Sequence, residues 1–185
     1  MIHKIGLGTQ SRPAEKQRVV ALVGDPRGHS PAATLASAVA VRLAREVVGG
    51  DKPNSAWKLI ELSEWTHDRS IHDWLTLVTD ADLVVVASPI RRASFTGLLK
   101  SFLDLLPDGA LEGTVAIPVM VSRTHRNSLA VDVHLRPVLQ ALGASCPTAS
   151  LFALESRVPN SGAICSSWFQ RSRGAFAPLA FGQGY

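Results

Sequence analysis

The chain has 185 residues, 46% of them hydrophobic, and a formal net charge of +4. That length and apolar content suit one domain with a sizeable core and exclude disorder along the whole chain. The Lys and Arg residues are scattered, which excludes a dedicated nucleic-acid arm but allows a small basic cluster facing an anionic ligand. No stretch reaches the roughly 20 apolar residues that a membrane span needs.

In chain order, residues 1–17 are polar, carry Pro13, Glu15 and Lys16, and lack the apolar core of a signal peptide. They are expected to form a flexible leader. Residues 18–23 are a short β-branched run of the kind buried on both faces of a parallel sheet. Gly24-Asp-Pro-Arg-Gly28 follows as a turn. Ser30 then stands where an N-cap belongs and Pro31 at the first helical position, before a helix over 33–48 that Gly49-Gly50 ends. A strand over 57–62 and a short helix over 70–78 come next, then the strongest strand, 82–87.

The loop 88–97 leads into a helix over 98–106 that Pro107 ends. Residues 115–121 read as a strand despite Pro118, which is expected only at an edge or a local irregularity. A helix over 127–142, with Gly143 as its C-cap, and a fifth strand over 148–154 complete the pattern. Strand and helix alternate throughout, predicting an α/β fold: a doubly wound five-stranded parallel sheet of flavodoxin-like order 2-1-3-4-5. The domain is expected to span 18–158. The Gly-, Ser- and aromatic-rich stretch 159–185 has weak periodicity and is expected to be an irregular tail.

Chemistry is expected at the carboxyl ends of the strands, where three loops converge by topology. The first, Gly24 to Ser30, opens a helix whose unpaired N–H groups favour a phosphate. Arg27 and the hydroxyls of Ser30 and Thr34 can add contacts. It is neither a Walker A loop nor GxGxxG, and an ordinary N-capped turn has the same composition. The second, Ser88 to Gly97, is stiffened by Pro89 and charged by Arg91 and Arg92. It is a ligand loop or a solvated basic turn. The third is Ser122-Arg-Thr-His-Arg-Asn127, where His125 is a general base or a common surface histidine. Cys146 and Cys165 have neither CxxC nor zinc-type spacing, and read as unpaired thiols of a reducing cytoplasm. No Ser-His-Asp or metal constellation stands out.

Three segments together resemble a known family. They are Val20-Ala-Leu-Val-Gly-Asp-Pro-Arg27, Val86-Ala-Ser-Pro-Ile-Arg-Arg-Ala-Ser-Phe-Thr-Gly-Leu-Leu-Lys-Ser-Phe-Leu-Asp-Leu-Leu-Pro107 and Leu129-Ala-Val-Asp-Val-His-Leu-Arg-Pro-Val-Leu139. They are similar to the NAD(P)H-dependent FMN reductases of the sulfonate-utilisation type, which supply reduced flavin to monooxygenases. The resemblance implies hydride transfer from NADPH or NADH to FMN, with no acid, base or nucleophile from the protein. It also implies a homodimer or homotetramer and a flavin-dependent monooxygenase as partner.

By position, the resemblance assigns Arg27, Ser30 and Thr34 to the FMN phosphate. It assigns Pro89, Ile90, Arg91 and Arg92 to one edge of the flavin ring, and Ser122, Arg123 and Thr124 to the other. Phe95 falls where these reductases carry a tyrosine in a helix insertion, a candidate π-bulge near the flavin at a tetramer interface.

All three loops depart from the family pattern at ligand-facing positions. Asp25 replaces a serine, Arg91 a tyrosine, and Ser122-Arg123 a glycine pair. They motivate two competing readings: a flavin-free paralogue serving as a binding or assembly protein, and a quinone or azo-dye reductase on the same fold.

Overall fold

The computed structural model describes residues 19–47, 57–65 and 70–176. The expected leader, the Gly49-Gly50 stop and the end of the tail lie outside the described residues. Five strands, β1 (Val19–Val23), β2 (Trp57–Glu61), β3 (Leu83–Pro89), β4 (Val115–Ser122) and β5 (Leu151–Leu154), form a parallel sheet in the order β2-β1-β3-β4-β5. This is the flavodoxin-like order expected from the alternation of elements. The helices are α1 (Pro31–Glu46), α2 (Ser70–Thr79), α3 (Gly97–Leu103), α4 (Arg136–Ala141) and α5 (Ser161–Ser172). Among the described residues, no helix is long and apolar enough to cross a membrane.

The period-two alternation of the strands builds two cores. Val19, Ala21 and Val23, with Leu83, Val85 and Ala87, face the core made with α1 and α5. Val20, Leu22, Val84 and Val86 face the core made with Leu99 and Phe102 of α3 and Leu139 of α4. Apart from Ser88 and Ser122 near the carboxyl ends of β3 and β4, the inner strands are therefore apolar on both faces and read as hydrophobic runs.

Pro118 is accommodated inside the sheet by a gap. The Ala116 N–H donates to the Ser145 carbonyl at 2.8 Å, and the β5 ladder starts only at the pair Val119 and Leu151. N–H groups alternate sides along a strand, so the missing donor of Pro118 faces that gap and costs no ladder bond.

Two expectations are corrected. The stretch after 158 is not an irregular tail over its described part. Residues 161–172 form α5, and Cys165, Trp168, Phe169 and Phe176 belong to the core against α1. Arg42 of α1 lies over the Phe169 ring, 5.5 Å from its centroid, and donates to the Ser166 hydroxyl at 2.6 Å. Polar Ser, Gly and Gln residues between the aromatic ones masked the helical period.

The helix expected over 127–142 is also not continuous. A π-turn, Val131–Leu135, precedes α4, and the Arg136 N–H closes it on the Val131 carbonyl. Pro137 follows immediately. Its ring would strike a carbonyl four residues back in a regular α-helix, and the widened turn relieves that clash.

Candidate functional site

The sheet register places the three loops at one rim. Val23 pairs with both Glu61 and Ala87, Pro89 with Val121, and Ser122 with Leu154. The Gly24 N–H donates to the Ala87 carbonyl at 2.8 Å, and the Ile90 N–H to the Val121 carbonyl at 2.8 Å. The Thr96 hydroxyl donates to the Gly24 carbonyl at 2.5 Å and accepts the Leu99 N–H, so it caps α3 and ties the second loop to the first. The Ser88 hydroxyl accepts the Thr96 N–H at 3.1 Å and donates to the Pro89 carbonyl at 2.9 Å.

In the first loop, Ser30 caps α1 as expected, its hydroxyl accepting the Ala33 N–H at 3.2 Å. The Thr34 hydroxyl donates back to the Ser30 carbonyl at 3.2 Å. Asp25 is only 1% exposed. Its Oδ1 accepts the Arg27 N–H at 3.0 Å and Nε at 3.1 Å, and its Oδ2 accepts an Arg27 guanidinium N–H at 3.0 Å. Burial pushes the Asp25 carboxyl up. The Arg27 side-chain and backbone hydrogen bonds, the Arg27 charge and the Ser30 hydroxyl outweigh it and hold the carboxyl below its ordinary value of 3.8. The half-exposed Arg27 also lies 3.7 Å from Glu155. His29 sits at φ 53°, and its N–H donates to the buried Glu61 carboxylate at 2.9 Å.

In the second loop, Pro89 is buried and Ile90 half-buried. Arg91 and Ser94 exchange both backbone hydrogen bonds, at 2.7 and 3.0 Å. Between them Arg92 and Ala93 have φ of 48° and 66°, the left-handed pair of a tight turn that normally uses Asn-Gly. Ala93→Gly is therefore expected to raise stability by about 0.5–1 kcal/mol, because glycine removes the Cβ penalty of the left-handed region. Urea unfolding midpoints measure it, and a lower midpoint would show that the turn holds no strain.

The π-turn is not at Phe95, which lies between this turn and Thr96 and packs half-buried against the α3 core. The widening occurs instead ahead of Pro137. In the third loop the buried Ser122 hydroxyl accepts the Thr124 N–H at 3.3 Å, while Arg123, Thr124, His125 and Arg126 are exposed. The His125 ring lies 5.8 Å from that of Phe152. Away from the rim, burial pushes the Cys165 thiol up to about 11 and raises Cys146, which keeps both protonated at neutral pH.

The family model described as NADPH-dependent FMN reductase matches residues 17–158. The chain belongs to the NADPH-dependent FMN reductase family. Its relatives include an FMN reductase (NADPH) of Escherichia coli K12, 36% identical over 148 residues that cover 76% of this chain and 75% of that one. A Pseudomonas putida protein, NADH-dependent FMN reductase SfnE, is 32% identical over 151 residues, covering 76% of this chain and 78% of its own. The solved apo structure of an NADH:FMN oxidoreductase, EMOB, matches with a TM-score of 0.71 at 29% identity over 89% of this chain and 88% of that one.

Within this FMN reductase family member the first loop is the sharpest test of ligand fit. A phosphate at a helix N-terminus needs backbone N–H groups and a positive field. Here the Arg27 and His29 N–H groups already serve Asp25 and Glu61. Those two N–H groups are not free for the phosphate of an FMN in this state, whereas the second and third loops present no such internal anion. Sequence reasoning missed Glu61, Thr96 and Glu155. Glu61 and Glu155 stand at the carboxyl ends of β2 and β5, where any residue faces the rim. Thr96 has the N-cap signature, Thr followed by Gly-Leu-Leu, two residues ahead of the first residue of the expected helix.

Proposed function

We propose that this chain reduces flavin, FMN included, with NADPH or NADH, and delivers reduced flavin to a monooxygenase. The observation that carries this reading is the family match across 17–158, which includes all three rim loops. The names of the Escherichia coli and Pseudomonas putida relatives, which specify NADPH and NADH respectively, support either nicotinamide as donor. A homodimer or homotetramer in the cytoplasm belongs to the same proposal.

A bound flavin supplies the hydride acceptor. The chain supplies position and field. The Ser88 and Thr96 hydrogen bonds hold the second loop against the first, and buried Pro89 fixes where it leaves the sheet. Pro89 to Arg92 would border one edge of the ring, and Ser122 to Thr124 the other. The exposed Arg91, Arg92 and Arg123 would attract the phosphates of the nicotinamide nucleotide.

The primary test follows NAD(P)H oxidation by the purified chain with free FMN, beside a visible spectrum before and after FMN is added. Flavin-dependent oxidation is expected, and its absence with a quinone still reduced would favour the quinone-reductase reading. Replacing Arg91, Arg92 or Arg123 by Ala is expected to raise the KM for the nicotinamide cofactor by about three- to tenfold at low salt, with kcat little changed. Unchanged KM in all three variants would remove them from that role.

A further inference from the structure

We propose, on the basis of the flavin-reductase reading, that the first loop does not select for the flavin phosphate. Asp25 and Glu61 hold its Arg27 and His29 donors, so the enzyme accepts flavins with and without a terminal phosphate about equally and binds both loosely.

The loop has the form of an anion site, but the anions are built in. Asp25 forms a two-pronged pair with the Arg27 guanidinium and takes the Arg27 backbone N–H as well. Glu61 takes the His29 N–H from the neighbouring strand and lies 3.9 Å from the His29 ring nitrogen. Both carboxylates are buried, at 1% and 7% exposure. Glu155 adds a third negative charge, 3.7 Å from the same guanidinium.

An incoming phosphate dianion therefore has two routes. It can take the Arg27 and His29 donors, leaving buried carboxylates without partners. Or it can sit beside them as a like charge. Each route opposes whatever the phosphate gains elsewhere. A ribityl chain that ends in a hydroxyl meets neither penalty, because a hydroxyl can donate to a carboxylate. The exposed positive charge lies instead on the other two loops, at Arg91, Arg92, Arg123 and Arg126. The rim is thus polarised, with its negative end where a flavin phosphate would arrive.

The test titrates the full chain with riboflavin and with FMN by flavin fluorescence quenching, and assays NAD(P)H oxidation with each. The two dissociation constants are expected to agree within about fivefold, since no net gain is made at the phosphate. Asp25→Ser is expected to tighten FMN by about tenfold or more while leaving riboflavin within about twofold, because one buried like charge is removed. Glu61→Gln shifts the ratio in the same direction. Should Asp25→Ser unfold the loop, Asp25→Asn keeps an acceptor for the Arg27 N–H and removes the charge.

A parent chain that binds FMN about fiftyfold or more tighter than riboflavin overturns the inference and leaves the reductase reading intact. So does an FMN-to-riboflavin ratio that none of the variants moves. A chain that reduces neither flavin overturns both.

Discussion

Gly24→Ala is expected to destabilise the protein by about 3 kcal/mol or more, at the upper end of what overpacking costs. A Cβ at position 24 would lie 2.3 Å from the Leu99 Cβ and 3.1 Å from its Cα. Leu99 is fully buried in the first turn of α3, with Phe102 and Leu103 packed behind it, so it has nowhere to retreat. The backbone of Gly24 cannot move either, because its N–H is bound to Ala87 and its carbonyl to the Thr96 hydroxyl. Relief would have to separate α3 from the sheet and break both bonds. Gly28→Ala is the control. Its Cβ would meet only the Ser63 hydroxyl oxygen at 3.8 Å, and a change within about 0.5 kcal/mol is expected. Chemical denaturation of the two variants decides the matter. Equal midpoints would mean that the first and second loops are not packed as described.

Trp168→Ala is expected to cost about 3–5 kcal/mol, the usual range for removing a large buried aromatic. Trp168 leads the fully buried side chains in size and sits between α1 and the sheet. Its ring meets Phe176 edge-on at 6.0 Å, while Phe169 stacks on Phe176 at 5.7 Å. Its indole N–H donates to the Ala149 carbonyl at 2.8 Å and so fixes the approach to β5. Trp168→Phe keeps most of the apolar volume but strands that carbonyl, and is expected to cost about 1–3 kcal/mol. Far-ultraviolet circular dichroism during urea unfolding distinguishes the three proteins. A Trp168→Ala variant as stable as its parent would show that α5 is an appendage rather than part of the core.

The sheet was legible because its inner strands are mostly apolar on both faces, and a short, β-branched run such as Leu83 to Ala87, ended by Ser-Pro, suits a strand buried on both faces. The rim was legible for a topological reason: parallel strands all deliver their loops to one edge. The capped start of α1 was equally plain, since Ser30 and Pro31 satisfy local rules that no distant contact overrides.

The inside of the rim was less legible. Asp25 was visible as a misplaced charge, but its partner could not be chosen between Arg27 and solvent without coordinates. Glu61 lies in a strand 36 residues downstream, and only sheet register brings it to the His29 N–H. The widened turn was attached to Phe95 on resemblance, while the physical cause, Pro137, lay in plain view in another helix. α5 escaped because its buried face is narrow: four residues are buried, Ile164 packs beside them, and the rest are small or polar.

The hydroxyl of Thr96 has a consequence for how this reductase can change over time. One oxygen atom joins the strand exit at Gly24 to the first turn of α3, and the amide of the same residue reaches back to Ser88. The two loops are thereby mechanically one part. A substitution that reshapes the approach to the ring will be felt at Asp25 and Arg27, and effects measured at the two ends will fail to sum. Altering flavin preference here calls for paired changes, whereas the third loop, outside this linkage, is open to drift by itself.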